Sequence, residues 1–277
     1  MQYVRAVVVA TALLAARVAS AQPLTNAAPP APEGEHLDLS YLWDGGAVPF
    51  IWAPMLGRVA IDRYWKPDDE PLLFSATEGG AAKSSWEVPG AAVTGLGIGV
   101  GFAMIATGDE SRFYHAKGMA ETLMTGALLT GVLKLSFSRH RPDWTPETDK
   151  GGELMSFPSG HSTQGFAIAT YAGLFLHDHV FAKYRGDRVL PWYEGLSYVG
   201  LAAGASAIGA ERILHNRHHL SDVAAGAALG TTTSLLFYWY QERRFQDHHR
   251  SSERIKDLAI TPSVTNESTT VGLSFRF

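Results

Sequence analysis

Cysteine is absent from the 277-residue chain. That excludes a disulfide framework and thiolate metal sites, but it leaves the compartment open, because an oxidising compartment does not require cysteine. Charge of one sign is lacking too. The 23 basic and 27 acidic side chains give a formal net charge of -4, and no stretch interleaves basic residues with stacking aromatics, so nucleic acid is excluded as a partner. No internal repeat is visible. Among the apolar segments, 88–106 has no charge at all and reaches ordinary spanning length.

What is present begins with an export signal. Arg5 stands in a short basic start, Ala6 to Ala16 are almost unbroken apolar, and Ala19-Ser20-Ala21 offers small residues to a signal peptidase. Residues 1–21 are therefore a signal peptide cut before Gln22 or a signal anchor that stays attached. Residues 22–35 hold Pro23, Pro29, Pro30 and Pro32 and read as a linker. Residues 36–87, with Trp43, Trp52 and Trp65, read as an aromatic-rich region of short helices or loops packed on the core. Five apolar segments of helical length follow, at about 88–106, 117–137, 161–181, 194–210 and 223–240. Their glycines and alanines suit close helix packing in a membrane or inside a soluble bundle. The tail, 241–277, is basic and then alternates apolar and polar residues around Asn266-Glu267-Ser268, which predicts a β-hairpin capping the domain.

Three clusters carry chemistry. In the first, Lys134 and Arg141 are seven apart and share a face if the helix continues that far. Pro142 disfavours helix just before itself, so Arg141 is expected at the helix end, and two converging cations suit an oxyanion. In the second, Pro158-Ser159-Gly160-His161-Ser162 directly precedes an apolar segment. Ser159 or Ser162 can cap a helix there, Gly160 lets a ligand approach the backbone, and amides at a helix start attract anions. The third holds Glu211, Arg212, His215, His218, His219 and Asp222. On a helix, the Asp222 carboxylate reaches the His218 imidazole four residues away and fixes which ring nitrogen carries the proton. Each cluster alone is compatible with a solvated helix end, a capping turn or a histidine-rich loop. His215 and His219 mimic a metal face by spacing alone; His248 and His249 read as solvated tail.

Together these clusters resemble the signature of the type 2 phosphatidic acid phosphatase (PAP2) and haloperoxidase-like superfamily: Lys-x6-Arg-Pro, Pro-Ser-Gly-His and Ser-Arg-x5-His-x3-Asp. The resemblance covers about residues 88–240, and the spacing inside each part fits without a gap. The one departure is Glu211, where the family has Ser, which bears on substrate preference. The resemblance implies that His218 attacks phosphorus, Asp222 orients it and His161 serves as acid and then base. Lys134, Arg141, Ser159, Gly160 and Arg212 would bind the phosphate. It implies no cofactor and no metal.

The expected fold is all-α, a membrane-embedded bundle of five to six helices over 88–240 with a short C-terminal hairpin. Alternating segment directions put all three clusters at one end. The opposite end is richer in Lys and Arg, which turns the site toward the periplasm of a bacterial envelope if the segments span. The expected substrate is a lipid phosphate such as phosphatidate, a polyprenyl diphosphate or a lipid A phosphate. The alternatives are a soluble periplasmic acid phosphatase, a vanadium-dependent haloperoxidase and a non-catalytic phosphate binder.

Overall fold

The computed structural model describes residues 48–64, 87–144, 155–184, 192–256, 258–264 and 269–275. The signal segment, the linker and most of the aromatic region lie outside the described residues.

Six α-helices stand among the described residues: α1 (Ala53–Tyr64), α2 (Gly90–Ala106), α3 (Arg112–Phe137), α4 (Gly160–Phe175), α5 (Trp192–Leu214) and α6 (Leu220–Lys256). Helix α4 is central and packs on α6, α5, α3 and α2. Its sequence explains the position, since Phe166, Ala167, Ile168, Tyr171, Ala172, Leu174 and Phe175 are all buried, leaving little of the helix for solvent. Val93, Met119, Leu123, Phe237 and Tyr238 complete the core around it. Before α1, a π-turn (Val48–Trp52) sets Phe50 edge-on against Phe237, with ring centroids 5.1 Å apart.

The closest approach is between α4 and α6. A Cβ added at Gly226 would lie 2.5 Å from the Ser159 carbonyl oxygen and 3.2 Å from the Thr163 nitrogen. Only a residue without a side chain lets α6 touch the backbone at the start of α4.

The expectation of a membrane-embedded bundle is corrected. Among the described residues, no helix is long and apolar enough to cross a membrane. Helices α2 and α4 run only 17 and 16 residues. Helix α3 is long enough but carries Lys117 and Glu121, both buried and 3.7 Å apart. Small and hydroxylated residues dilute the hydropathy of α5 and α6.

Helix α6 runs past the apolar segment that predicted it, to Lys256. Beyond it, the backbone of Leu258–Val264 pairs antiparallel with Thr269–Phe275. From Val48 to Lys256 every regular element among the described residues is helical. A hairpin capping the domain is thus no part of the described bundle.

Candidate active site

Helix α3 ends where its sequence stops supporting it. Ser138 adopts a left-handed conformation (φ 42°, ψ 43°), and its amide closes the last turn on the Lys134 carbonyl. Lys134 therefore stays on the last turn while Arg141 lies in the following loop. The two do not share a helical face, a correction that follows from the reversal at Ser138. The charge of Arg141 nonetheless lowers the pKa of both Lys134 and His218. The Lys134 ammonium donates to the Met155 carbonyl. Burial, followed by the charge of Arg141, pushes its pKa down to about 7.

The second cluster opens α4. Ser159 is its N-cap: the side-chain oxygen accepts from the Ser162 amide, and its backbone amide donates to the Asp222 carbonyl at 3.0 Å. Gly160 is the first residue of the helix. His161, in the first turn, donates its Nε2 proton to the Val88 carbonyl at 2.9 Å, since a carbonyl can only accept. Nδ1 is then the nitrogen left to exchange a proton. Burial first, and Arg212 next, lower the pKa of His161, so the ring is neutral when no anion is present.

The third cluster spans the turn between α5 and α6. His218 precedes α6 instead of lying on it, while Asp222 sits in its first turn. The two still face each other, but across the helix start and not along one helical face. The Asp222 carboxylate instead reaches back over the helix start and accepts from the His219 amide at 2.9 Å, the reciprocal half of a capping box. Its Oδ2 is 3.7 Å from His218 Nδ1, too far for a direct hydrogen bond, so it acts on the ring as a charge. The Ser156 hydroxyl donates to that same oxygen at 2.5 Å and lies 3.5 Å from Nδ1. On the other side, Arg139 Nη1 donates to Asp222 Oδ1 at 2.6 Å.

These contacts set the charge states. Although burial works against it, hydrogen bonds to Asp222 hold its carboxyl down at about 2. Burial, helped by Lys134 and Arg141, pushes His218 down to about 3 against the pull of Asp222. His218 is therefore a neutral imidazole at physiological pH, and its Nε2 takes no hydrogen bond among the described residues.

Arg212 is buried, with Nη1 3.6 Å from both Glu87 Oε2 and Glu211 Oε2, and its Nε has no hydrogen-bond partner among the described residues. Glu211, the departure from the signature, also faces His215 Nδ1 at 3.0 Å. His215 and His219 are not brought together as ligands: His219 Nε2 faces the His140 carbonyl at 3.3 Å.

All eight residues singled out in the sequence thus lie at or beside one end of the bundle, around the start of α4 and α6. Arg139, Ser156, Glu87 and the Val88 carbonyl join them without having been singled out. Arg139 and Ser156 fall inside or beside the motifs, but only folding brings them to Asp222.

Residues 116–246 match the PAP2 superfamily. The chain is 39% identical over 132 residues to a lipid A 1-phosphatase of Porphyromonas gingivalis, a stretch covering 48% of this chain and 24% of that protein. It is 28% identical over 136 residues to phosphatidylglycerophosphatase B of Bacillus subtilis, covering 47% of this chain and 63% of that one. A probable diacylglycerol pyrophosphate phosphatase of Schizosaccharomyces pombe is 26% identical over 192 residues, covering 60% and 67%. The chain therefore spans about a quarter of the first relative and under two thirds of the second. No solved structure matches.

Proposed function

We propose that this chain, which belongs to the PAP2 superfamily through residues 116–246, is a phosphatase that releases phosphate from a lipid phosphomonoester or diphosphate. The observation that carries the reading is the His218 imidazole, held neutral with Nε2 unengaged and with the buried Asp222 carboxylate behind Nδ1.

In the first step, the Nε2 lone pair of His218 attacks phosphorus. The P–N bond forms as the ester P–O bond breaks, and its electron pair leaves with the alkoxide oxygen. His161 gives that oxygen a proton from Nδ1. Although His161 is neutral in the empty site, a phosphate dianion against Arg212 offsets the charge that depresses its pKa and favours the imidazolium. Asp222 and the Ser156 hydroxyl balance the positive charge that His218 acquires on phosphorylation. In the second step, water attacks phosphorus and loses its proton to His161, and the P–N electron pair returns to Nε2. Lys134, Arg141 and Arg212, with Ser159 and the Gly160 amide, hold the non-bridging oxygens. Glu211 and Glu87 fix the guanidinium of Arg212 and keep part of its charge occupied.

The names of the relatives support a lipid as carrier of the phosphate. So do Leu96, Ile98 and Phe102 on α2 and Leu196 and Val199 on α5, large apolar side chains left exposed. The export signal supports a place in a bacterial envelope with the site on the periplasmic side, at the face of a membrane.

The test is phosphate release from lipid A, phosphatidate and a polyprenyl diphosphate by purified protein in EDTA, at a temperature where circular dichroism shows it folded. Wild type is compared with His218→Ala, and a radiolabelled acid-labile phosphoenzyme is trapped. Expected are turnover and trapping by the wild type, and loss of both in the variant by about 10⁴-fold or more. Turnover that survives in His218→Ala would overturn the assignment.

A further inference from the structure

The other end of the bundle holds a second cluster of titratable side chains that the proposed chemistry does not use. His115 is in the first turns of α3, His179 in a π-helical turn (Leu176–Val180) that follows α4, and Glu242 on α6. All three are buried. His115 Nε2 is 3.2 Å and His179 Nε2 3.0 Å from one and the same oxygen, Glu242 Oε2, and the three atoms lie within 4.8 Å of one another. His115 lies 19 residues before Lys134 on α3, roughly 28 Å along the helix axis.

We propose that His115, His179 and Glu242 form a structural binding site for a first-row divalent cation of the zinc type, fastening α3, the π-turn and α6 together.

The geometry fits on three counts. Two imidazole nitrogens and one carboxylate oxygen are a donor set that zinc favours. With ligand bonds of about 2.05 Å, the two N···O separations correspond to angles at the ion of roughly 95° and 103°, near the tetrahedral value for those two pairs. Both histidines also have their outer nitrogens engaged. His179 Nδ1 faces the Ser111 hydroxyl at 3.0 Å and Asp109 Oδ1 at 3.3 Å. His115 Nδ1 faces the Tyr171 hydroxyl at 3.2 Å. The carboxylate–histidine pair Asp109–His179 is the outer-shell arrangement that orients metal-ligating rings and raises their basicity. Asp109 is itself held by Lys183 at 2.7 Å, and Glu242 Oε1 accepts from Gln246 at 2.7 Å. The remaining coordination position would go to water or to the second Glu242 oxygen. The π-turn is the local irregularity that turns His179 toward the others, and such bulges recur at functional sites.

The test uses the untagged full chain, stripped with EDTA and dialysed. Zn²⁺ is titrated calorimetrically, and Co²⁺ is added separately to read the visible absorption of a low-coordinate site. Expected are one saturable Zn²⁺ per chain, a higher melting temperature with Zn²⁺ and a Co²⁺ band that Zn²⁺ abolishes. Glu242→Gln and His179→Gln should lose the site. Asp109→Asn should keep the stoichiometry and weaken affinity 10- to 100-fold, which serves if a ligand variant fails to fold. His248→Ala/His249→Ala should change nothing. No saturable binding, or binding that persists unchanged in Glu242→Gln, would overturn the proposal. Neither readout depends on phosphatase turnover, so the two proposals fail separately.

Discussion

Replacing Gly226 with alanine is expected to destabilise the protein, although alanine is the better helix former. On an exposed helix the change gains about 1 kcal/mol. At Gly226 the new methyl carbon would stand 2.5 Å from the Ser159 carbonyl oxygen, 3.1 Å from Ser162 Cβ and 3.2 Å from the Thr163 nitrogen. Two of these atoms are backbone and cannot rotate away, so α6 must retreat from α4 by a large fraction of an ångström. Overpacking of this kind costs about 1–3 kcal/mol, occasionally more, and the helix-propensity gain offsets only part of it. With the close backbone contacts placing the cost at the upper end of that range, a net loss of up to about 2 kcal/mol is expected. Because the displaced atoms belong to the start of α4, turnover should fall more than stability alone explains. The control is Gly204→Ala on α5, where an added Cβ meets nothing within 4 Å among the described residues; it should stabilise by about 0.5–1 kcal/mol. Urea denaturation of both variants reads the difference as shifts of midpoint in opposite directions, at constant slope. Shifts of the same sign, or no loss for Gly226→Ala, would refute the reasoning.

Other perturbations follow from the site. Arg139→Ala removes a partner from the fully buried Asp222. Breaking a buried ion pair costs about 3–5 kcal/mol, reduced here because water can reach the partly exposed Arg139 position; a loss of about 2–3 kcal/mol in urea is expected, with Arg139→Lys recovering part of it. Lys134 carries its charge below about pH 7 and loses it above. The kcat/KM profile of the free enzyme should therefore fall on the alkaline side of about pH 7, and Lys134→Arg should move that limb upward. Ser156→Ala leaves Asp222 and His218 in place but removes the hydroxyl beside both. It should lower kcat about tenfold with KM little changed, as steady-state kinetics on a phosphorylated lipid would show.

How much of this was legible in the sequence depends on distance along the chain. Lys134 and Arg141, or His218 and Asp222, sit at short fixed spacings that a linear reading captures. Arg139 and Asp222 are 83 residues apart, and nothing in the local pattern of either points to the other. The helical segments were legible because apolar length survives in one dimension, yet their environment was not. Glycine- and alanine-rich runs permit close helix packing in either medium, and the buried Lys117–Glu121 pair reveals itself only once α3 is folded. The opposite cluster was invisible for the same reason as Arg139: His115, His179 and Glu242 are each isolated in the sequence, separated by more than sixty residues.

Asp222 closes the first turn of α6 through the His219 amide and faces His218 with the same oxygen. Anchorage of the longest helix and basicity of the proposed nucleophile are thus tied to one atom. A change at position 222 cannot adjust the imidazole without loosening the helix, so drift or design at that residue is penalised twice. Ser156 has no such double duty. It approaches the same carboxylate from a different segment, and it is the place where the strength of the nucleophile can be tuned while the scaffold stays intact.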